Sequence, residues 1–525
     1  MPTAVRHAGL LRELAHLLEP GGLVTDDAER AYFAQDAFWQ GVPPLAIAVP
    51  ADVMQVPAIL GACTAAGIAV VPRGGGMSYT KGYVPSTPDV VTLDLRRLNR
   101  IVDIDAENMI VTAEAGCTWQ QLYEALRPHG LRTPYFGPMS GMRATVGGAL
   151  SQNSMFYGSA TWGTVAESVL SLRVALADGR IVTTGSRGNR GGIAFHRHFG
   201  PDLTGLFLSD AGALGVKLEA SIRLIEWPAH EAFGSFAFRD FPSMLAAQAR
   251  IARRRLAAEC FGLDPYLNGS RTLVKDLKTG LRTLADVASG GRTFREGLAS
   301  AAQVAIAGTD FMEGVRYSLH VVCEGETESI ARWRLEAIRR IALEQGREID
   351  ATIPRVCRAT PFKHPGEFLV GHAGERWVPI HACLPLSKGL AAFEATMRFF
   401  DSRRELLERY HVATSHLTGS AGTDLIFEPA FYYPDAMTEF HLRNLEEKDA
   451  RRYASLPAVP GASEAVGGML DELARLFLDL GAVHQQLGRF YPYADALDAT
   501  TRDVVRGVKA LLDPANRMNP GALGL

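Results

Sequence analysis

The sequence is short of cysteine and does not cluster what it has. Cys63, Cys117, Cys260, Cys323, Cys357 and Cys383 are scattered over 525 residues without a C-x-x-C pair. This argues against a disulfide framework or a structural zinc site, no metal is expected, and the spacing fits a reducing compartment. Net charge is also lacking: 54 basic against 57 acidic residues leave −3, which offers no bulk attraction to nucleic acid. No apolar run approaches the roughly 18 residues needed to cross a bilayer. The N-terminal "MPTAVRHAGLLRELAHLLEPGG" has charges where a signal peptide needs an uninterrupted apolar core. The expectation is a cytoplasmic chain. Internal repeats and low-complexity tracts are absent.

What is present is ordinary globular composition, 47% hydrophobic and 21% charged, in a chain too long for one core. Residues 46–72 read as strand, helix, strand. "DVVTLDL", "RIVDID" and "MIVTAEAG" follow as short strands. "TWQQLYEALRPHG" reads as a helix with a Thr118/Gln121 capping box, and "SLRVALADGRIVTTG" as a hairpin turning at Asp178-Gly179. After Trp227-Pro228 longer helical patterns appear, such as "MLAAQARIARRRLAAECFG" and "GLAAFEATMRFFDSRRELLERY". They alternate with the apolar strands "RYSLHVVCEG", "WVPIHACLPL" and "TDLIFEPAFYY". The run Arg253-Arg254-Arg255 reads as a solvated helix face.

The most informative stretch is "VVPRGGGMSYTKG", residues 70–82. Its glycines can serve a turn, a linker or a phosphate cradle. They follow a buried strand directly, so the loop is fixed in place. Consecutive bare amides form an anion nest, and Ser78 adds a hydroxyl. No G-K-S/T follows, so this is not a Walker loop, and no G-x-G-x-x-G opens a helix. Two more glycine-rich stretches, 137–154 and 200–224, suggest a long ligand such as a dinucleotide.

The ordered motifs R-G-G-G-x-S, T-V-G-G-A, D-L-T-G-L-F and G-x-L-G-V, with the ending "LDPANRMNPG", resemble the vanillyl-alcohol oxidase / p-cresol methylhydroxylase superfamily of FAD-binding proteins. The resemblance implies an α+β, two-domain flavoprotein. Residues 1–228 would form the FAD-binding domain, 229–455 an α+β cap domain over the substrate, and 456–525 a segment returning to the FAD domain. Pro72, Arg73, Gly74, Gly75, Gly76, Met77 and Ser78 would hold the pyrophosphate. Met139, Ser140, Gly141, Thr145, Gly147 and Gly148, with Gln152, Asn153, Ser154 and Met155, would line the flavin. Ala211–Lys217, including Gly212, Leu214, Gly215 and Val216, would reach the adenine end and ribityl chain.

Several departures from the superfamily bear on function. Met77 stands where some relatives link FAD through a loop histidine, and Arg143-Ala144 where others use a cysteine. His381 lies near a third linking position, with Ile380 aligned to it. Non-covalent FAD is therefore expected. The D-2-hydroxyacid dehydrogenase motifs H-V-G-D-G-N-L-H and E-H-G are replaced by "LTGSAGTDLIF" and "HQQLG". "SAGTDLIFEPAFYYPD" resembles alkylglycerone-phosphate synthases, whose active tyrosine would fall on Tyr433, but their histidine cluster is reduced to "HQQL" from His484. The phenol oxidases imply tyrosines and an arginine around a phenolate. The candidates are Tyr432, Tyr433, Arg489, Tyr491 and Tyr493, although Gln485 occupies the aligned arginine position. His416 and His484 stand as backup bases. The expectation is an FAD-dependent oxidoreductase taking a hydride from an aryl alcohol or para-substituted phenol. A dehydrogenase of another hydroxy acid or alcohol, or a flavin-binding protein without turnover, are the alternatives. Oxygen, a quinone or a cytochrome would accept the electrons, and a homo-oligomer is expected.

Overall fold

A computed structural model describes residues 3–270, 312, 314–371 and 373–525. The N-terminal part builds two main sheets and a two-stranded ribbon of Leu131–Arg132 with Ile225–Glu226. The first contains β1 (Leu23–Val24), β2 (Ala46–Ala48), β3 (Ala69–Arg73) and β4 (Val90–Asp94) in the order β1-β2-β4-β3, with β2, β4 and β3 parallel. Helix α1 (Gln55–Ala65) makes the crossover from β2 to β3. It buries Val56, Ile59, Leu60 and Cys63, the i, i+3, i+4, i+7 stripe that one helix face requires. The second sheet contains β5 (Ile101–Asp105), β6 (Ile110–Glu114), β7 (Val169–Ala175), β8 (Ile181–Thr183) and β9 (Val216–Arg223), in the order β5-β6-β9-β7-β8 and antiparallel throughout. The β7–β8 hairpin turns at Asp178-Gly179. Helix α2 (Trp119–Leu126) carries the capping box at Thr118 and Gln121.

Among the described residues, the region expected to form the cap builds one antiparallel sheet of eight strands: β10 (His230–Phe238), β11 (Glu259–Leu263), β12 (Tyr317–Gly325), β13 (Gly346–Ile349), β14 (Arg376–Pro379), β15 (Ala382–Pro385), β16 (Ala413–Ala421) and β17 (Asp424–Tyr433). Their order is β13-β10-β12-β11-β16-β17-β14, with β15 also paired to β17. Two local expectations change here. The helical pattern expected through "AAECFG" ends at Arg253, and Glu259–Leu263 is strand β11. Flanked by β12 and β16 and almost wholly buried, it shows no alternation of buried and exposed residues, so periodicity cannot separate it from buried helix. Arg253–Arg255 are exposed, as a solvated helix end should be. "WVPIHACLPL" is two strands broken at Ile380-His381, opposite Pro429 of β17. Proline gives a strand no amide to donate and marks such irregularities.

The helix Ala462–Asp479 packs Val466, Met469, Leu470, Leu473 and Phe477 into the same core as Leu425, Phe427 and Phe431 of the cap. The last residues run along the free edge of β3. Val70 N–H donates to Arg517 O (2.7 Å), and Asn519 N–H donates to Val70 O (2.8 Å). Asn519 Nδ2 donates to Gly82 O and Ala211 O, tying both glycine-rich loops to the tail.

Candidate functional site

β3 ends at Arg73 and delivers the three glycines into a cavity of about 940 Å³. Among the described residues, no main-chain amide from Gly74 to Ser78 donates to a protein acceptor. These free donors suit an anion that approaches the backbone. The glycines also answer a packing need. A Cβ on Gly74 would lie 2.3 Å from Thr145 Oγ1, and one on Gly75 would lie 1.9 Å from Arg143 O. Gly76 holds a φ of +70°. The loop thus lies directly on the 143–145 segment, and Arg143 fastens it by donating to Gly75 O, Tyr32 OH and Asn444 Oδ1.

Helix α3 (Val146–Gln152) begins beside this loop, with Thr145 capping it through Gly148 N–H. Gly147 is bare because Ala115 Cβ lies 2.6 Å from where its own Cβ would be. The far wall is Ala211, Gly212, Gly215, Val216 and Lys217. Lys217 pairs there with buried Asp210 at 2.6 Å. A long, bare-walled cavity with free amides near its middle fits the pyrophosphate and two arms of FAD. The loop holding Pro72 to Ser78, α3 with Ser151, Gln152 and Ser154, and the Ala211–Lys217 turn would hold it.

Leu214, Asn153, Gly141, Met139 and Met155 were expected at the cofactor and do not line this cavity. Leu214 is in the core under the second sheet. Asn153 ends α3 with a left-handed φ of 51°. Gly141 sits in a turn against Phe362. Met139 and Met155 line the neighbouring cavity. Arg73 does line the cradle, yet its guanidinium is buried in a cage of Tyr32, Phe33, Tyr83 and Phe440, where it donates to Phe33 O. It underlies Gly76 instead of reaching out to a ligand.

The second cavity, about 1280 Å³ of space partly open to solvent, lies between the cradle and the cap sheet. The two share Met77, Pro138, Ser140, Ser154 and Gln486, so they meet at one end of the cofactor site. His381 enters at the break between β14 and β15, 2% exposed. Its Nε2 lies 2.8 Å from Tyr79 OH and 3.0 Å from Glu428 Oε2. Its own amide donates to Tyr491 OH at 2.8 Å. His484 Nδ1 donates to His381 O, and the His484 ring stacks on Tyr491 at 4.0 Å. Burial pushes the Tyr79 hydroxyl well above its ordinary value, with the Glu428 charge adding to it, so Tyr79 stays protonated. Burial likewise holds the His484 imidazole down to about 4. Among the described residues, the cavity lining contains Glu428 and Glu259 and neither arginine nor lysine.

The expected catalytic residues divide. Tyr491 and His484 brace His381 from behind. Tyr433 is fully buried, bonded to Ser463 Oγ at 3.1 Å, and burial pushes it up to about 12. Tyr432 bonds Ser415 and packs on Tyr266. Arg489 is taken up by Lys81 O, Val84 O, Pro520 O and Asn519 Oδ1. His416 is buried against Asp264. None of Tyr432, Tyr433, Arg489, Tyr493 and His416 lines either cavity. The reason is strand alternation and the tail: β17 turns Tyr433 to the helix 462–479 side, and Arg489 serves the tail. Tyr79 and Glu428 were missed. The signal for Glu428 was a charge beside a proline inside an otherwise apolar strand, "IFEPAF". Tyr79 carried no signal beyond its place in the loop.

A family model described as an FAD binding domain matches residues 44–185. Among curated proteins, the chain is 29% identical over 218 residues to the glycolate oxidase subunit GlcD of Bacillus subtilis, covering 41% of this chain and 44% of that protein. It is 30% identical over 247 residues to the mitochondrial D-lactate dehydrogenase [cytochrome] of Arabidopsis thaliana, covering 46% and 41%. The matches thus span less than half the length of these relatives. Among solved structures, 4-ethylphenol oxidase from Gulosibacter chungangensis superposes with a TM-score of 0.73 at 17% identity, over 99% of this chain and 97% of that one. An alkyldihydroxyacetonephosphate synthase superposes with a TM-score of 0.67 at 15% identity, over 98% and 84%. Both show a shared fold over nearly the whole chain. The glycine loop lies within the FAD binding domain matched at residues 44–185, and the chain shares its fold with these solved structures.

Proposed function

We propose that this protein is an FAD-dependent oxidoreductase that oxidises a neutral, largely apolar alcohol, an aryl alcohol before a 2-hydroxy acid. The observation that carries the reading is the lining of the second cavity. It has His381 with Tyr79 and Glu428 beside the flavin end, apolar walls, two carboxylates and, among the described residues, neither arginine nor lysine. A 2-hydroxy acid would bring its own carboxylate into this space, where none of the described lining residues is an arginine or lysine to meet it. A phenol bound as phenolate would face the same lack, because Arg489 is committed elsewhere. An uncharged carbinol meets no such cost.

Bound FAD supplies a two-electron hydride acceptor. The His381–Glu428 pair takes up the hydroxyl proton as the C–H hydride leaves and the carbonyl forms, and the 3.0 Å contact of Nε2 with Oε2 lets the two groups share that proton. Tyr79 positions the ring and the substrate hydroxyl, and Tyr491 and His484 fix the His381 backbone. The FAD is held without a covalent link, in keeping with Met77 in the loop. Acid precipitation then leaves the yellow colour in solution, and colour that stays with the pellet overturns this and points to His381.

Anaerobic mixing with a panel of substrates tests the function. Flavin bleaching by benzylic or cinnamylic alcohols, slowed roughly 10²–10⁴-fold in His381→Ala, is expected for loss of a general base. Bleaching by glycolate or lactate alone would hand the reading to a hydroxy-acid dehydrogenase. Colour that no substrate bleaches would mark a flavin-binding protein without turnover. The rates of reoxidation by oxygen, a quinone or a cytochrome then identify the electron acceptor.

A further inference from the structure

We infer that Glu259 forms a second recognition point at the far end of the cavity, and that the substrate carries a hydrogen-bond donor, an amine or a hydroxyl, distal to the carbon being oxidised. The inference rests on the reading of this cavity as the substrate site.

The geometry follows from strand register. On β11, β16 and β17, Phe261 pairs with Gly419 and Gly419 with Ile426, while Leu417 pairs with Glu428. Cross-strand partners, and residues two apart on a strand, project to one face. Glu259, Phe261, Gly419, Leu417, Ile426 and Glu428 therefore share a face, and all six line the cavity. Its cap-side wall is apolar in the middle and carries a carboxylate at each of two opposite corners. Glu259 is level with Ala421, four residues along the strands and two strands across from Glu428. That puts the two α-carbons roughly 16 Å apart.

Glu259 is 3% exposed and only half satisfied. Its Oε1 accepts from Gly158 N–H at 2.8 Å and from Arg358 Nη1 at 2.7 Å. Its Oε2 has no hydrogen-bond partner among the described residues. A buried carboxylate oxygen left unpaired is costly, and a donor on a ligand removes that cost. The ion network behind it, Arg132 and Arg358 against Glu231, Glu259 and Glu324, has one carboxylate in excess, so it favours a cation at this end. Gly419 between the two corners presents no side chain, and a Cβ there would meet only Ile426 at 3.7 Å. The floor is left open for a ligand that spans the cavity.

Three aryl alcohols of equal length test this, ending in an aminomethyl, a hydroxymethyl or an ethyl group. The first two should show KM values about 10-fold or more below the ethyl analogue. Glu259→Gln keeps an acceptor for Gly158 and Arg358, and should erase most of the amine's KM advantage over the ethyl analogue. A second measurement is independent of turnover. An arylalkylamine without a carbinol should quench Trp377, which lines the cavity, in the wild type and about 10-fold more weakly in Glu259→Gln. Equal KM values for all three substrates, with equal amine binding by both proteins, overturn the inference. Amine binding that depends on Glu259, without oxidation of any alcohol, upholds the subsite and overturns the proposed reaction instead. If Glu259→Gln does not fold, Gly419→Leu serves: it should weaken the long amine substrate far more than unsubstituted benzyl alcohol, and equal weakening of both overturns the inference.

Discussion

Arg489 binds three carbonyl oxygens and one side-chain amide oxygen, joining residues 81–84 to the tail at Asn519 and Pro520. Its removal leaves those acceptors without a donor at a site where burial already holds the guanidinium down to about 10. Arg489→Ala should cost about 2–4 kcal/mol of stability, from several orphaned buried acceptors at about 1 kcal/mol or more each. Thermal melting reads this as a clear loss of Tm together with lowered flavin content. Anaerobic reduction of the flavin that remains bound should be little changed. His381→Ala should do the opposite, with normal flavin content and a lost reduction step. If Arg489→Ala keeps its Tm and flavin but reduces slowly, then the arginine acts on the substrate after all. An arginine and a tyrosine near the C-terminus were legible in the sequence as polar groups of a buried region. Their direction was not, because it depends on which neighbour each strand and loop faces.

At the scale of elements, glycine positions give predictions of both signs. Gly75→Ala forces a methyl into the carbonyl of Arg143, so loop and helix α3 must separate. A loss of about 1–3 kcal/mol, as for other overpacked sites, and loss of flavin are expected. Gly468 lies on the exposed side of the helix Ala462–Asp479, with nothing within 4 Å of an added Cβ. Gly468→Ala should stabilise the protein by roughly 0.5–1 kcal/mol through helix propensity. Chemical denaturation of the two variants would show midpoints moving in opposite directions, and a destabilised Gly468→Ala would mean an unseen contact on that face. The elements with strong local signals, α1, α2 and the β7–β8 hairpin, stand where the sequence puts them. β11 did not, because a strand buried in mid-sheet has no period to read.

For the whole molecule, buried titratable groups set the response to acid. Burial holds His320, His416 and His441 near 3 and His484 near 4, against about 6.5 in an unfolded chain. Between those values the unfolded chain binds protons that the folded one refuses. The stability these histidines contribute is complete above about pH 6.5 and is lost as pH falls toward 4. Asp36 and Asp264 are raised to about 6 by burial, and Glu259 is raised as well. All three act in the opposite sense, Asp36 and Asp264 between about pH 4 and 6. The four histidines outnumber these carboxylates, which leaves about one proton or more taken up on unfolding. That corresponds to a slope of roughly 1.4 kcal/mol per pH unit, steepest just above pH 6, where the histidines are unopposed. Melting at a series of pH values should show Tm falling from pH 7 to 5. A flat or rising Tm over that range would show that the histidines reach water in the folded protein.

The sequence by itself determined the cofactor loop, its position after a buried strand and the α+β character of the chain. These follow from local rules: strand composition, bare glycines and consecutive amides are all written within a dozen residues. Only the tertiary structure decided the reacting end. Tyr79, His381, Glu428 and Tyr491 come from a loop, a break between strands, a strand interior and the C-terminal region, separated by as much as 412 positions. What brings them together is the pairing of β14 and β15 with β17 and the closure of the tail on β3. Strand register has no signature in the local sequence. It is set by which side chains the whole sheet can bury, and that sum exists only once the chain has folded.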